Sequence, residues 1–281
     1  TSLVSLIVIP APSSRAKRYG NQRWHRVPRP SECRHTLTGP PGRRANRIAT
    51  VQPTKIEEIL DAYAGACTFL SRIFLEPADE SLMTSLFGGY GNAAEVAKTA
   101  RAGKIAVPVL DDWPMEADAD TIRGLHAMRT GSTTPLDVLL IDHRNLFEGP
   151  DHVLACPYES VYLSDEHLTF EEQTLKVRAF YHRFGVQAPA VGKEPDDHIG
   201  LELSFISHLC VLALDAIQLS EVNAETAIIA SIGDFLDQHL LLWVDGCLDS
   251  VVEHATTDFY RGLGHLTRGT VRQLQATFQA Q

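Results

Sequence analysis

The residues best suited to chemistry sit in one short run, Glu194-Pro195-Asp196-Asp197-His198, with Glu202 four positions after the histidine. A His and a Glu at that separation share one helical face. His198 and Glu202 could therefore chelate a metal, with Asp197, His208 or His239 completing the set. The H-x-x-x-E spacing lacks the second histidine of an H-E-x-x-H zinc helix, and it reads equally as an ion pair or a helix-start hydrogen bond. The three carboxylates of the run have two open roles. They can cap the following helix, or they can meet arginines of a ligand, where a bidentate pair adds geometric specificity. Twelve histidines make a Ser/His/Asp hydrolase conceivable, but no G-x-S-x-G is present, and Ser160 suits a turn or a cap. Gly88-Gly89-Tyr90-Gly91 follows a short helical run instead of a strand, and no G-x-x-x-x-G-K-[ST] occurs, so it reads as a helix stop. On these grounds no enzyme activity, no cofactor and no metal are expected.

The elements that must position these residues read as helices. Pro195 fixes its own φ and biases Glu194 away from helix, so a turn is expected at 194–197, with Asp196 or Asp197 as N-cap. A helix over Asp197–Leu219 follows, with Ile199, Leu203, Ile206, Cys210, Ala213, Leu214 and Ile217 on its core face. Upstream, Asp151–Asp165 reads as irregular because Pro157 interrupts it. Tyr158, Val161 and Tyr162 there either pack into the core or line a groove for an apolar peptide segment. Thr169 and Glu172 form a capping box for a helix that Gly185 ends. Gln187–Lys193, with Pro189 and Gly192, is the best hinge candidate, placing the hinge near 187–197. Further helices are expected over 56–74, 81–87, 92–102, 118–129, 135–147, 223–248 and 256–278. No alternating strand pattern stands out. The fold class is all-α: a single helical-bundle domain over residues 53–281, after a disordered basic, Pro/Arg-rich tail over 1–52.

Charge narrows the choice of partner. Residues 1–50 hold ten Arg and Lys against Glu32 alone, a balance of +9; the remainder holds 15 basic and 34 acidic residues, a balance of −19, which gives the chain its net −10. An acidic body repels phosphates, so no nucleic acid is expected, and a basic peptide suits it better. Cys33, Cys67, Cys156, Cys210 and Cys247 lie far apart with no C-x-x-C, as free thiols in a reducing, cytoplasmic compartment would. No apolar run approaches eighteen residues, so no membrane insertion is expected. Arg43-Arg44 is followed by Ala-Asn-Arg instead of an apolar stretch and does not read as an export signal.

Three stretches in order carry a resemblance. Lys193–Leu209 contains E-P-D-D-H-I-G-L-E-L-S-F; Asn145–Leu163 contains L-F-x-G-P and P-x-x-S-V-Y; Phe235–Arg268 contains F-L-x-x-H-L and D-F-Y-R-G-L. Together they resemble the TorD/DmsD/NarJ family of molybdoenzyme maturation chaperones, over about residues 54–268. The resemblance implies a helical fold of the TorD type and a cytoplasmic chaperone. Such a protein would bind the twin-arginine signal peptide of a molybdopterin oxidoreductase catalytic subunit, hold the apoenzyme and assist cofactor insertion and export proofreading. Position by position, it implies a peptide-binding set of Pro157, Tyr158, Ser160, Val161, Tyr162, Glu194, Pro195, Asp196, Asp197 and His198. Tyr158 and Tyr162 stand where some relatives have tryptophan, and Ser204 and Ile206 replace Glu and Met of the pattern. A monomer, or a dimer that exchanges the helices after the hinge, is compatible with it. A helical regulatory or scaffold protein that binds no signal peptide, and a small metal-dependent enzyme, stand as alternatives.

Overall fold

A computed structural model describes residues 24–26, 55–86, 108–115, 118–149, 153–164, 169, 172–189 and 195–279. The expected helix at 92–102, the Gly88–Gly91 stop, most of the capping box after Thr169, most of the basic tail and Glu194 lie outside these residues.

Helices dominate. The order is β1 (His25–Arg26), α1 (Lys55–Leu75), α2 (Glu80–Leu86), α3 (Pro108–Asp111), α4 (Ala119–Gly131), α5 (Leu136–Phe147), α6 (Glu159–Leu163), α7 (Glu172–Arg183), β2 (Val186–Gln187), α8 (Ile199–Gln218), α9 (Val222–Phe235), a π-helical turn (Leu236–Leu240), α10 (Leu241–His254) and α11 (Asp258–Phe278). This is the all-α architecture of a TorD-like domain. Along α1, Leu60, Tyr63, Cys67, Leu70 and Phe74 fall at steps of three and four, and all lie in the core.

Helix α8 is the axis. Sixteen of its twenty residues are buried, so it has no solvent face to speak of. One stripe understates it, because α1 packs along one side and α9 along another. Ser207, off the stripe, reaches α1 and donates to the Ala64 carbonyl at 2.9 Å. Two segments, α8 and the continuous helix Val222–His254, are long and apolar enough to cross a membrane, contrary to the expectation of no such run. Glu202 and Asp215 interrupt the apolar letters of α8 without interrupting its burial. With 89 % of its most apolar window inside the fold, α8 is a core helix of this bundle.

The other tight pairing joins α4 to α11. A Cβ on Gly124 would lie 2.4 Å from the Leu266 nitrogen, and one on Gly262 would lie 2.5 Å from the Met128 nitrogen. The two backbones therefore meet antiparallel at a distance only glycine permits. At the end of α10, the buried Asp142 of α5 accepts from Thr256 N at 3.0 Å, Thr257 N at 2.9 Å and the Thr257 hydroxyl at 2.6 Å, which fixes the turn into α11.

The π turn interrupts what is otherwise one helix over Val222–His254. It adds width to one turn, and such bulges often accompany functional positions. Here it carries His239.

Residues 24–26 depart from a structureless tail. Strand β1 pairs antiparallel with β2, His25 opposite Gln187 and Arg26 opposite Val186, and Trp24 packs against the bundle. The expected hinge therefore starts as a strand; its residues 190–194 are outside the described set.

Candidate functional site

The acidic turn and the tyrosine segment meet. The Pro157 carbonyl accepts the Ile199 N–H at 2.8 Å, and the Asp197 carbonyl accepts the Glu159 N–H at 3.0 Å. These bonds form an antiparallel bridge between Tyr158 and His198. The Tyr158 ring lies edge-on to the His198 imidazole, centroids 5.2 Å apart. Pro157, Tyr158, Ser160, Val161, Tyr162, Pro195, Asp196, Asp197 and His198 thus share one corner of the molecule.

Their burial divides them. Pro157, Ser160, Pro195, Asp196, Asp197 and His198 are buried, whereas Tyr158, Val161 and Tyr162 are half-buried. Asp197 is 0 % exposed, with Oδ2 accepting the Ser160 N–H at 2.8 Å and Oδ1 the Thr174 hydroxyl at 2.7 Å. The carboxylate expected to cap its own helix instead caps the first turn of α6, across the corner. The cap of α8 is His198, whose Nδ1 accepts the Gly200 N–H at 3.0 Å. That role needs a neutral imidazole. Burial, with His143 nearby, pushes the His198 pKa down to about 3.

Asp196 is equally buried. Its Oδ2 accepts Arg178 Nε at 2.9 Å and Nη2 at 2.5 Å, and its carbonyl accepts the Tyr181 hydroxyl at 3.0 Å. Arg178 and Tyr181 both come from α7, so this turn is bolted to α7 as well as to α6. Neither Asp carboxylate is open to solvent; both spend their charge on the protein's own donors.

Behind the corner lies a second, deeper set of ionisable groups. Glu159 is 1 % exposed and its carboxylate contacts His239 Nδ1 at 3.1 Å. Glu202 is 0 % exposed, and neither of its oxygens has a partner in hydrogen-bond geometry. Its polar neighbours are Glu159 and the Trp243 indole, whose Nε1 is likewise unpartnered. Burial first, then the adjacent Glu159 and Asp197, hold the Glu202 pKa well above its ordinary 4.5. Burial also raises Glu159, against the pull of His239. Glu202 therefore lies beside Glu159, and both oxygens of the Glu159 carboxylate face His239 Nδ1, at 3.3 and 3.1 Å. His239 also lines an open cleft of about 410 Å³ with Lys176, Phe180 and Arg183.

On the outer side, the Tyr162 ring tilts against Trp243, centroids 5.4 Å apart, and its hydroxyl donates to the Cys156 carbonyl at 2.9 Å. Among the described residues, no group of three or more His, Cys, Asp or Glu side chains converges as metal ligands. Sequence reasoning did not find Thr174, Arg178 or Glu159 as partners of the corner. Nothing in their spacing signals it; they come from α6 and α7 and meet the turn only in three dimensions.

The family model described as nitrate reductase delta subunit matches residues 114–249, which include both halves of the corner. The Tat proofreading chaperone DmsD of Salmonella typhi is 31 % identical over 169 residues, covering 59 % of this chain and 74 % of the relative. The chain belongs to the TorD/DmsD/NarJ chaperone family. The chaperone protein TorD of Vibrio cholerae serotype O1 is 27 % identical over 135 residues, covering 48 % of this chain and 60 % of that relative. The relatives are chaperones, not enzymes, and the role this chain shares with them is that of a chaperone.

Proposed function

We propose that this chaperone acts in the cytoplasm on the catalytic subunit of a molybdopterin oxidoreductase. It binds the subunit's twin-arginine signal peptide and keeps the apoenzyme from export until its cofactor is inserted. The observation that supports this most is the bridge between Tyr158 and His198, which welds the two matched motifs into one surface with half-exposed rings.

The roles within the proposed set differ. Tyr158, Val161 and Tyr162 supply an apolar and aromatic contact for the hydrophobic part of the peptide. Asp196, Asp197, Ser160 and His198 position that contact. Removing one of them would loosen the corner without removing a direct contact. The peptide's arginines are attracted by the acidic body, −19 beyond residue 50, and by Glu194, adjacent in sequence. This part of the attraction is screened by salt.

The test is a titration of a labelled twin-arginine peptide into wild type, Tyr158→Ala and Tyr162→Ala. Truncating an aromatic anchor typically costs about 2 kcal/mol or more, a loss of over tenfold in affinity. Unchanged affinity in both variants, with helical content intact, would dismiss this surface. A peptide with both arginines replaced by glutamine should bind more weakly, and the difference should shrink at high salt.

A further inference from the structure

Among the described residues of the basic tail, Trp24 sends its ring into the fold at a defined slot. Its ring stands edge-on to Tyr181 at 4.8 Å and to Phe205 at 5.7 Å, and its indole N–H donates to Ser204 Oγ at 3.2 Å. The next two residues extend along β2 as an added antiparallel strand. Among the described residues, β2 has no other strand partner. An extended segment laid on a free strand edge, with one side chain in a pocket, is a general mode of peptide capture.

The slot abuts the corner described above. Tyr181, which receives the indole, is the same residue whose hydroxyl holds the Asp196 carbonyl. The docked segment is also basic: Arg23 and Arg26 flank Trp24 and His25, with Arg15, Lys17, Arg18 and Arg29 nearby in sequence. Cations next to an apolar residue in an extended chain are what the signal peptide would offer. The attachment is small, one ring and two ladder residues, and an isolated two-stranded ribbon is marginal in water.

We propose that the β2 edge and the slot formed by Tyr181, Ser204 and Phe205 are a peptide-docking groove. The chain's own Trp24–Arg26 segment fills it in cis and must leave before a basic signal peptide can use it. The tail is then an intramolecular competitor that sets the apparent affinity for the client. This rests on the signal-peptide reading of the preceding subsection.

The experiment measures binding of the labelled twin-arginine peptide to the full chain as wild type, Trp24→Ala, Trp24→Phe and the double variant His25→Pro/Arg26→Pro. Along an antiparallel strand successive N–H groups alternate in direction, so the double variant removes the one that faces β2, whichever residue carries it. If the segment is docked about nine-tenths of the time, releasing it tightens the apparent Kd about tenfold. Trp24→Ala and the double proline variant should both show that gain, and Trp24→Phe should stay near wild type. In parallel, a synthetic peptide spanning residues 20–30 is added to the Trp24→Ala chain; it should bind and should compete with the signal peptide, and its own Trp24→Ala version should not. Equal or weaker signal-peptide affinity in both release variants would overturn the competition. Failure of the 20–30 peptide to bind would overturn the groove. Docking of the 20–30 peptide, with no signal peptide binding to any variant, would support the groove and overturn the preceding reading instead.

Discussion

Replacing Glu202 with Gln should stabilise this protein, and should do so more as pH rises. Glu202 is fully buried in α8 with neither oxygen in hydrogen-bond geometry, and burial beside Glu159 and Asp197 raises its pKa well above 4.5. The folded state therefore keeps a proton that the unfolded chain releases. Stability from this group is fully present below the unfolded value of 4.5 and is lost as pH rises towards the folded one. Each pH unit in that window costs about 1.4 kcal/mol. Gln has the shape of the protonated acid and an N–H donor where the acid has its O–H, so it removes the loss while keeping a donor towards Glu159. His198 works in the opposite sense. Its folded pKa of about 3 lies below its ordinary 6.5, so its contribution is complete above 6.5 and fades as pH falls. The two trends oppose each other between 4.5 and 6.5 and separate above it. Urea unfolding of wild type and Glu202→Gln at half-unit steps from pH 5.5 to 7.5 gives the comparison. The gap between the curves should widen as pH rises. A constant gap, or one that narrows with pH, would refute the raised pKa of Glu202.

Three further outcomes follow from the same contacts. Asp197→Ala leaves the Ser160 N–H and the Thr174 hydroxyl buried without their acceptor; at about 1–3 kcal/mol for each orphaned group, urea unfolding should show a loss of several kcal/mol. Arg178→Ala strips the buried Asp196 of its cation; the expected loss is about 3–5 kcal/mol, and Arg178→Ala/Asp196→Asn should recover much of it in the same assay. Gly262→Ala forces a methyl to within 2.5 Å of the Met128 nitrogen, so α4 and α11 must separate, and the melting temperature should fall by an amount matching at least about 1–3 kcal/mol.

The helices were legible because their apolar spacing is regular. Leu60, Tyr63, Cys67, Leu70 and Phe74 repeat at steps of three and four, and all five are buried as that repeat requires. The meeting of the two motif stretches was legible only as a resemblance; no rule of spacing brings Tyr158 to His198. The acidic turn shows the limit most clearly. Asp196 and Asp197 look like exposed carboxylates in the sequence, because charged residues on a turn usually are. Their burial depends on Arg178 and Thr174, which lie on another helix. The pairing of α4 with α11 had a readable signal in the seven-residue spacing of Gly124 with Gly131 and of Gly262 with Gly269. Two turns apart, each pair shares a helix face, and small residues on one face permit close approach. Helix propensity counts the same glycines as weakness, which is why these helices look poorer in the sequence than they are in the fold. Trp24 had no signal at all, since a lone ring among arginines and prolines has no period.

The widened turn at Leu236–Leu240 also constrains how this chain can change. A straight α-helix advances about 100° per residue. Deleting one residue there would restore regular winding and would leave each helical half intact. It would also swing Trp243 and Cys247 about a quarter-turn or more around the axis relative to Phe235. One half of a core helix would then show its greasy side to water. The extra residue is the pin that lets two independent helical faces address the same interior, and single-residue losses at that point should be far less tolerated than substitutions.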